Sequence, residues 1–335
     1  MKRLTRILLI ACISLCAATS FADYSEHPEA AAFVDTMVSK HNFERAEIIG
    51  WLSYAKHQSS IVKAMSRPAE KVKPWFEYRK HFISELRIDR GLQFWRENQQ
   101  TLERAELEFG VDPAIIVSII GVETNYGRNT GSYKVIDALT TLAFDYYTYT
   151  EKRESRKKFF TTQLEHLFLL AREQNQDPLE LKGSYAGAMG WGQFMPNSYR
   201  NYAVDFDGDE FADIWSNPTD AIGSAASYFK QHGWAAGEPV VARAKVSGER
   251  VEEGLTVGLE SQKNAGEMRA LGWQFDKSVA NETAVTAFRL EGADGDEYWL
   301  GLPNFYVITR YNRSVMYAMA VHQLSQQLAE ARGDQ

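Results

Sequence analysis

The feature that most constrains this chain is an apolar run that ends in a glutamate. Residues 113–122 include six Ile or Val side chains, and Glu123 follows them directly. Asp112 and Pro113 predict a helix start, because a capping carboxylate followed by proline at the first helical position is a common N-terminal pattern. Since the run has no clear polar face, the predicted helix is buried, and the chain must fold around it.

Glu123 is the first candidate functional residue. Gly127 predicts that the helix ends nearby, which places Glu123 in its last turn. The apolar surroundings and the partial negative charge of the last carbonyl groups both raise the pKa of a carboxyl group there. An acid that keeps its proton near neutral pH suits general acid catalysis. The alternative is a structural glutamate that is hydrogen-bonded to a buried Arg or Tyr.

The N-terminus has the pattern of a secretory signal peptide over residues 1–22. Lys2, Arg3 and Arg6 precede an apolar stretch at residues 7–18, and Ser20-Phe-Ala22 is typical of a cleavage site. We therefore expect an exported, periplasmic protein.

Cysteine usage and charge narrow the class of protein further. Cys12 and Cys16 both lie in the predicted signal peptide, so the mature chain is expected to contain no disulfide and no cysteine-based site. A sequence resembling a lipobox at Leu9–Cys12 leaves a lipid-anchored form as the alternative. The formal net charge is −7, and removal of the signal peptide makes it −10. Without a block of Lys or Arg, this charge gives no reason to expect a nucleic-acid partner.

The order of sequence patterns predicts an α+β fold that is predominantly α. An N-terminal helical region is expected over 23–110, with one long helix over 94–109. The second region, 111–236, contains the Glu123 helix and further helices around 159–173 and 220–231. Short strand-like runs at 240–246, 254–258 and 283–290 predict a small inserted β subdomain over 237–308. The chain then returns as a C-terminal helix within 309–335.

An acidic segment at residues 205–216 resembles the calcium loop of an EF-hand. Two residues depart from that pattern, since Glu210 replaces the glycine and Ser216 replaces the last glutamate. The alternative is a solvated acidic turn before the next helix. A bound metal would be structural, because no neighbouring histidine indicates a water-activating site. The predicted ligands are Asp205, Asp207, Asp209, the carbonyl group of Phe211, and Asp213.

Four segments together resemble the lytic murein transglycosylase B family. They are Gly121–Gly127, Ser184–Pro196, Asp220–Ser224 and Ile308–Asn312, and the resemblance extends from about Phe33 to the C-terminal helix. It implies that region 111–236 is a lysozyme-like catalytic core. It also implies that peptidoglycan glycan strands are the substrate and that Glu123 is the only catalytic acid and base.

The resemblance also implies a mechanism without water. Glu123 would protonate the oxygen between N-acetylmuramic acid and N-acetylglucosamine, then accept the proton of the muramoyl 6-hydroxyl as a 1,6-anhydro ring closes. No cofactor would be required for catalysis, and calcium would be a structural ion. The protein would be a monomer, with cell-wall synthesis or remodelling proteins as further partners. Residues implied to contact substrate are Tyr78, Ser184, Tyr185, Gln193, Tyr228, Tyr311, Asn312 and Tyr317, with Arg156 as a candidate ligand for the peptide or muramoyl carboxylate.

Two other functions remain open on the sequence. A lysozyme-type muramidase would cleave the same bond with water and give reducing-end products. A non-catalytic peptidoglycan-binding protein would keep the cleft without using Glu123 as an acid. The segment Tyr147–Glu154 is longer than the corresponding segment of the family. The alignment that matches Arg156 to a family position is therefore not fixed by the sequence.

Overall fold

The computed structural model describes residues 23–65, 73–145 and 153–333. The predicted signal peptide and most of the Tyr147–Glu154 segment lie outside these ranges. The helices are α1 Ala30–His41, α2 Arg45–Tyr54, α3 Ser59–Met65, α4 Trp75–Tyr78, α5 Glu85–Glu97, α6 Gln99–Phe109, α7 Pro113–Thr124, α8 Val135–Thr140, α9 Arg153–Glu173, α10 Pro196–Tyr202, α11 Pro218–Gln231, α12 Val251–Gly254, α13 Ala265–Ala270, α14 Pro303–Tyr311 and α15 Val315–Arg332. A 3₁₀ turn, Arg79–His81, follows α4, and a π-helical turn, Thr141–Asp145, follows α8.

The strands form two antiparallel sheets. The smaller sheet pairs β1 with β2, and the larger has the order β4-β6-β7-β3-β5. In the larger sheet a tight hairpin joins β6 to β7, where Gly292 pairs with Gly295. The predominantly helical α+β class expected from the sequence is confirmed. The strands are β1 Tyr133–Lys134, β2 Lys182–Gly183, β3 Val241–Val246, β4 Lys263–Asn264, β5 Trp273–Gln274, β6 Ala284–Gly292 and β7 Gly295–Gly301.

Helix α7 is enclosed by other helices, as the apolar run predicted. Its residues from Pro113 to Val122 are all buried, and Thr124 is buried too. The Asp112 side chain accepts a hydrogen bond from the backbone N–H of Ala114 at 2.7 Å, which caps the first turn. Helices α5, α6, α11 and α15 pack around α7. Together they form the core against which Glu123 is held.

The end of α7 lies earlier than Gly127, the residue expected to terminate it. The helix ends at Thr124, and Asn125 caps it in a left-handed conformation with a φ of 55°. Tyr126 and Gly127 are also left-handed, with φ angles of 60° and 77°. These three residues turn the chain sharply away, so that Glu123 stays in the last helical turn.

Several expected elements differ from the structure. The single helix expected over 94–109 is broken at Asn98, whose side-chain amide donates to the carbonyl oxygen of Phe94 at 2.8 Å. Residues 254–258 form no strand. The N–H of Thr256 donates one backbone hydrogen bond to the carbonyl oxygen of Ala287 in β6, and this single bond does not make a ladder. Strand β7 was missed, since its polar residues hide the alternation. Helix α14 crosses position 308, where the β subdomain was expected to end.

Within the described residues, none of the helices combines the length and the apolar character needed to cross a membrane.

Two glycines allow Tyr126 to fit between α5 and α7. A Cβ atom at Gly121 would lie 2.7 Å from the hydroxyl oxygen of Tyr126, and one at Gly91 would lie 2.4 Å from it. Tyr126 is itself buried, and its ring stacks on Phe94 with centroids 5.8 Å apart. The glycines therefore set how closely the turn after Glu123 can pack on its own helix.

We expect Gly121→Ala to lower the free energy of unfolding by about 1–3 kcal/mol, because the added methyl group overpacks the site against Tyr126. Urea unfolding of the purified protein measures this change. Gly50→Ala in α2 is the matched control, since no atom lies within 4 Å of its added Cβ. That control should be neutral or stabilising by up to about 1 kcal/mol. Equal effects of the two substitutions would contradict the packing role.

Candidate active site

The carboxyl group of Glu123 lies between α7 and α15. Its Oε1 atom accepts a hydrogen bond from the hydroxyl group of Tyr317. Unlike its neighbours in α7, Glu123 is partly exposed when the whole residue is considered. Burial raises the pKa of Glu123 to about 7, and the hydrogen bond from Tyr317 acts in the opposite direction. The elevated pKa expected from the apolar helix is thus confirmed.

Tyrosines from three separate elements surround this carboxyl group. Tyr78 ends α4, Tyr311 ends α14, and Tyr317 lies in the first turn of α15. Burial raises the pKa of each of these phenols, and the charge of Glu123 raises it further. They therefore remain protonated at neutral pH and can donate hydrogen bonds. The resemblance implied all three as cleft residues, and the structure brings them together with Glu123.

Glu123 has no cationic partner in the part of the chain that the structure describes. The hydrogen bonds and ion pairs there connect its carboxyl group to Tyr317 alone. A nearby guanidinium group would lower the pKa by about 1–3 units. The contact with Tyr317 is the one that the structural alternative also predicts. Partial exposure and a pKa near 7 are what distinguish Glu123 from an inert buried acid.

The loop over Ser184–Gln193 is held mainly by its own polar groups. The Ser184 hydroxyl oxygen accepts the backbone N–H groups of Ala186 and Ala188, at 3.3 and 3.1 Å. Gln193 is left-handed, with a φ of 51°, and its side-chain amide donates to the carbonyl oxygen of Gly190 at 2.9 Å. Tyr185 is 46% exposed on the same loop. Ser184 and Gln193 therefore shape the loop, whereas Tyr185 offers a free aromatic face.

Two hydroxyl groups attach this loop to the elements that hold Glu123. The Thr124 hydroxyl donates to the carbonyl oxygen of Trp191 at 2.9 Å. The Tyr311 hydroxyl donates to the carbonyl oxygen of Gly192 at 2.7 Å. Sequence reasoning missed the roles of Thr124 and Trp191. The only sequence signal was that both residues lie in segments that resemble the family, since a sequence does not show which carbonyl group a threonine side chain reaches.

The remaining candidates lie in different surroundings. Tyr228 is buried, donates to the carbonyl oxygen of Arg310 at 2.7 Å, and packs against Tyr311 with ring centroids 4.6 Å apart. It supports the Tyr311 ring from behind. Asn312 is exposed directly after α14.

The structure does not bring Arg156 to Glu123 through any contact between described residues. Arg156 is exposed near the start of α9. Its neighbour Lys157 pairs with Glu29 at 2.7 Å, next to the first helix.

Four carboxylates converge at the acidic loop. One oxygen from each of Asp205, Asp207, Asp209 and Asp220 lies within 4.8 Å of the others. Oxygen ligands of this kind fit calcium. Burial raises the pKa of Asp220, backbone hydrogen bonds oppose this, and the charges of Asp207 and Asp205 raise it further. A cation would relieve that repulsion.

The carboxylate cluster differs from the group of carboxylates expected by EF-hand spacing. Asp213 lies outside the cluster, because its Oδ1 atom accepts the N–H groups of Trp215 and Ser216 at 2.9 and 3.0 Å. The carbonyl oxygen of Phe211 accepts the N–H of Asp213. Asp220, from the first turn of α11, was missed because it lies beyond the standard loop length. It supplies an acidic group that Ser216 lacks.

Comparison with known proteins identifies relatives over nearly the whole chain. The family model described as the transglycosylase SLT domain matches residues 25–326. Membrane-bound lytic murein transglycosylase B of Escherichia coli strain K12 is 44% identical over 319 residues, covering 92% of this chain and 85% of the relative.

Solved structures are similar as well. The soluble lytic transglycosylase SltB1 from Pseudomonas aeruginosa is 55% identical with a TM-score of 0.86, covering 91% of this chain and 100% of that one. The Escherichia coli lytic transglycosylase Slt35 in complex with calcium is 44% identical with a TM-score of 0.82, covering 93% and 96%.

We expect Glu123→Gln to change how stability depends on pH. The native pKa of about 7 lies above the ordinary value of 4.5. Between these values the folded chain holds a proton that the unfolded chain has lost, so the wild type loses stability as pH rises. Relative to Glu123→Gln, the wild type should lose on the order of 3 kcal/mol between pH 4.5 and pH 8.

Urea unfolding at pH 4.5, 6 and 8 measures this difference. The control is Glu108→Gln, because Glu108 is exposed on α6. A difference between wild type and Glu123→Gln that stays constant across this range would show that Glu123 titrates as an ordinary carboxyl group.

Proposed function

The chain belongs to the transglycosylase SLT domain family, and we propose that Glu123 is the single general acid and base of this enzyme. Its fold is the lysozyme-like fold of lytic transglycosylases, and its activity is cleavage of peptidoglycan glycan strands without water. The observation that supports the role of Glu123 is that the residue is partly exposed while burial raises the pKa of its carboxyl group to about 7. At that pKa, both the acid and the conjugate base are accessible near neutral pH.

The surroundings of Glu123 favour ring closure over hydrolysis. Most glycosidases need a second carboxylate, either to activate water or to form a covalent intermediate. Burial and the hydrogen bond from Tyr317 are the two causes that shift the pKa of Glu123. Within the described residues, no second acidic group contributes to that shift. When the sugar's own hydroxyl group is the nucleophile, one carboxyl group is sufficient. This supports a transglycosylase over the muramidase alternative.

The proposed reaction returns Glu123 to its starting state. The protonated carboxyl group gives its proton to the glycosidic oxygen, and the bond from that oxygen to C1 of the muramoyl residue breaks. The leaving N-acetylglucosamine end departs with the proton as a hydroxyl group. The Glu123 carboxylate then takes the proton of the muramoyl 6-hydroxyl while that oxygen bonds to C1. The 1,6-anhydro product leaves, and Glu123 is again protonated.

The tyrosines are proposed to position the acid and the sugar. Tyr317 holds one carboxyl oxygen of Glu123, so the other can face the bond that is cleaved. Tyr78 and Tyr311 remain neutral beside the carboxyl group, so they add no positive charge that would draw its proton away. The exposed ring of Tyr185 is suited to stacking on a sugar face. Ser184, Gln193, Tyr228 and Asn312 remain proposed cleft residues, the first three through the loop or ring that they support.

Calcium is proposed as a structural ion of the acidic loop. Asp205, Asp207, Asp209 and Asp220 would hold it through carboxylate oxygens. Support comes from their convergence and from the similar Escherichia coli structure described as a complex with calcium. An ion there would fix the loop to the start of α11. Catalysis is proposed to need no cofactor.

The mature protein is proposed to act in the periplasm. Support comes from the signal-peptide pattern of residues 1–22, which lies outside the described residues. The Escherichia coli relative is named as membrane-bound and the Pseudomonas aeruginosa structure as soluble. The peptidoglycan substrate of such an enzyme lies outside the cytoplasmic membrane. The monomeric state and contacts with other cell-wall proteins remain proposals from the resemblance.

We expect wild-type protein to release muropeptides that end in 1,6-anhydromuramic acid from isolated sacculi. Mass spectrometry separates them from hydrolysis products, which are heavier by one water. Glu123→Gln should lower the release by at least about 10²-fold, since a neutral amide can neither give nor accept the proton. The control Glu108→Gln should retain wild-type activity. Reducing-end products from the wild type would instead identify a muramidase, and unchanged release by Glu123→Gln would exclude Glu123 as the acid.

We expect calcium to raise the melting temperature of the wild type by several degrees, because an ion that binds only the folded state stabilises it. Asp207→Asn should weaken this response, since Asp207 is an exposed member of the carboxylate cluster. The matched control is Asp213→Asn, which changes an acidic residue of the same loop outside the cluster and should retain the response. Differential scanning calorimetry with and without calcium measures the shift. A melting temperature that is the same with and without calcium would contradict the proposed ion site.

A further inference from the structure

A cavity of about 360 Å³ lies between α4 and the hairpin that joins β6 to β7. One wall is formed by α4 and the following 3₁₀ turn, with Phe76, Arg79 and Lys80 among the lining residues. Arg243 of β3 and the hairpin residues 293–297 line it from the β sheet. The cavity therefore lies between the N-terminal helices and the β subdomain, and three cationic side chains line it.

These three cations have no carboxylate partner in the described part of the chain. They lie near aromatic rings instead. The guanidinium carbon of Arg79 is 6.0 Å from the ring centroid of Trp75, and that of Arg243 is 5.3 Å from the ring centroid of Trp299. Lys80 lies 6.0 Å from the ring centroid of Phe76. Such contacts orient a cation but leave its N–H groups available. The cationic wall is thus held in place without being neutralised.

Most acidic groups of the hairpin have partners of their own. Asp296 pairs with Arg289 at 3.6 Å, and one carboxylate oxygen of Glu297 accepts the indole N–H of Trp299 at 3.1 Å. Asp294 is exposed at the tip of the hairpin. Asp294 has no ion-pair partner among the described residues, and the three cations are the charged groups of the cavity that can donate hydrogen bonds to a carboxylate. Arginine and lysine side chains arranged this way are suited to a ligand with carboxylate groups.

Helix α4 contributes residues both to the surroundings of Glu123 and to the cavity. The single turn of α4 carries Tyr78 toward Glu123 and Phe76 toward the cavity, and the 3₁₀ turn that follows carries Arg79 toward the cavity. A helix with its side chains is about 10–12 Å across. A peptide of about five residues spans about 17 Å when extended. The peptide arm of a muramoyl residue bound at Glu123 can therefore reach across α4.

We propose that this cavity binds the peptide arm of peptidoglycan, with Arg79, Lys80 and Arg243 contacting its carboxylate groups. The inference rests on the proposed function, because it takes the glycan next to Glu123 as the point from which the arm extends. It assigns a preference for peptide-bearing over bare glycan strands to side chains outside the catalytic centre. The glycan is held near Glu123, and its peptide arm is held behind α4.

The test compares two substrates and two proteins. Wild type and the triple variant Arg79→Gln, Lys80→Gln, Arg243→Gln are assayed on peptide-bearing glycan strands and on strands stripped of peptide by an amidase. Each exposed ion pair changes affinity by only a few-fold. The triple variant should therefore raise KM for peptide-bearing strands about tenfold at unchanged kcat. Kinetics on stripped strands should match wild type, because that substrate lacks the carboxylate groups.

Two further variants separate charge from packing. The double variant Arg79→Lys, Arg243→Lys keeps the charges and should keep a KM near that of wild type. Lys245→Gln removes a cation from the exposed face of β3, two residues from Arg243 but outside the cavity. It should leave both substrates unaffected. Loss of activity on both substrates in the triple variant, or an unchanged KM on peptide-bearing strands, would overturn the proposal.

A binding measurement keeps this outcome distinct from the catalytic proposal. A free pentapeptide stem is titrated into wild type and the triple variant by calorimetry, and the same peptide is used with its C-terminal carboxylate converted to an amide. Weaker binding is expected for the triple variant and for the amide. Equal binding in all four combinations would overturn the subsite even if anhydro products form. Absence of anhydro products from the wild type would overturn the catalytic proposal, whereas these binding differences would persist.

Discussion

The packing of α15 against α7 is the contact on which the rest of the site depends. Helix α7 contributes six buried Ile or Val side chains. Full burial of each such side chain stabilises a fold by about 1.5–3 kcal/mol. This apolar contact is large enough to offset the cost of holding one ionisable group at its end. Because α15 lies along α7, Tyr317 reaches Glu123 without a loop between them.

The absence of a cation beside Glu123 in the described residues is as important as the presence of the tyrosines. An arginine there would stabilise the carboxylate and lower its pKa, which would remove the proton needed for the first step. A wholly apolar site would keep the proton but disfavour the carboxylate needed for the second step. Neutral phenol groups lie between these extremes, since they donate hydrogen bonds without carrying charge. A pKa of about 7 is the result of that balance.

Local patterns in the sequence predicted what depends on neighbouring residues. The start and burial of α7, the position of Glu123 and the acidic loop all followed from short segments. Relations between distant segments could not be predicted in this way. The meeting of Tyr78 with Tyr317 depends on how α4 and α15 pack, and Asp220 joins Asp205 only because α11 begins beside the loop. The break at Asn98 depends on one side-chain bond that competes with the helix.

The hydrogen bond between Glu123 and Tyr317 joins residues that are 194 positions apart. A chain that has emerged only as far as α14 therefore contains the acid but lacks the phenol that orients it. The cleft is therefore completed only when α15 has followed α14. For an enzyme that cuts peptidoglycan, this order ties activity to synthesis of the chain as far as α15. A chain that terminates before α15 would contain Glu123 without Tyr317, so its active site would be incomplete.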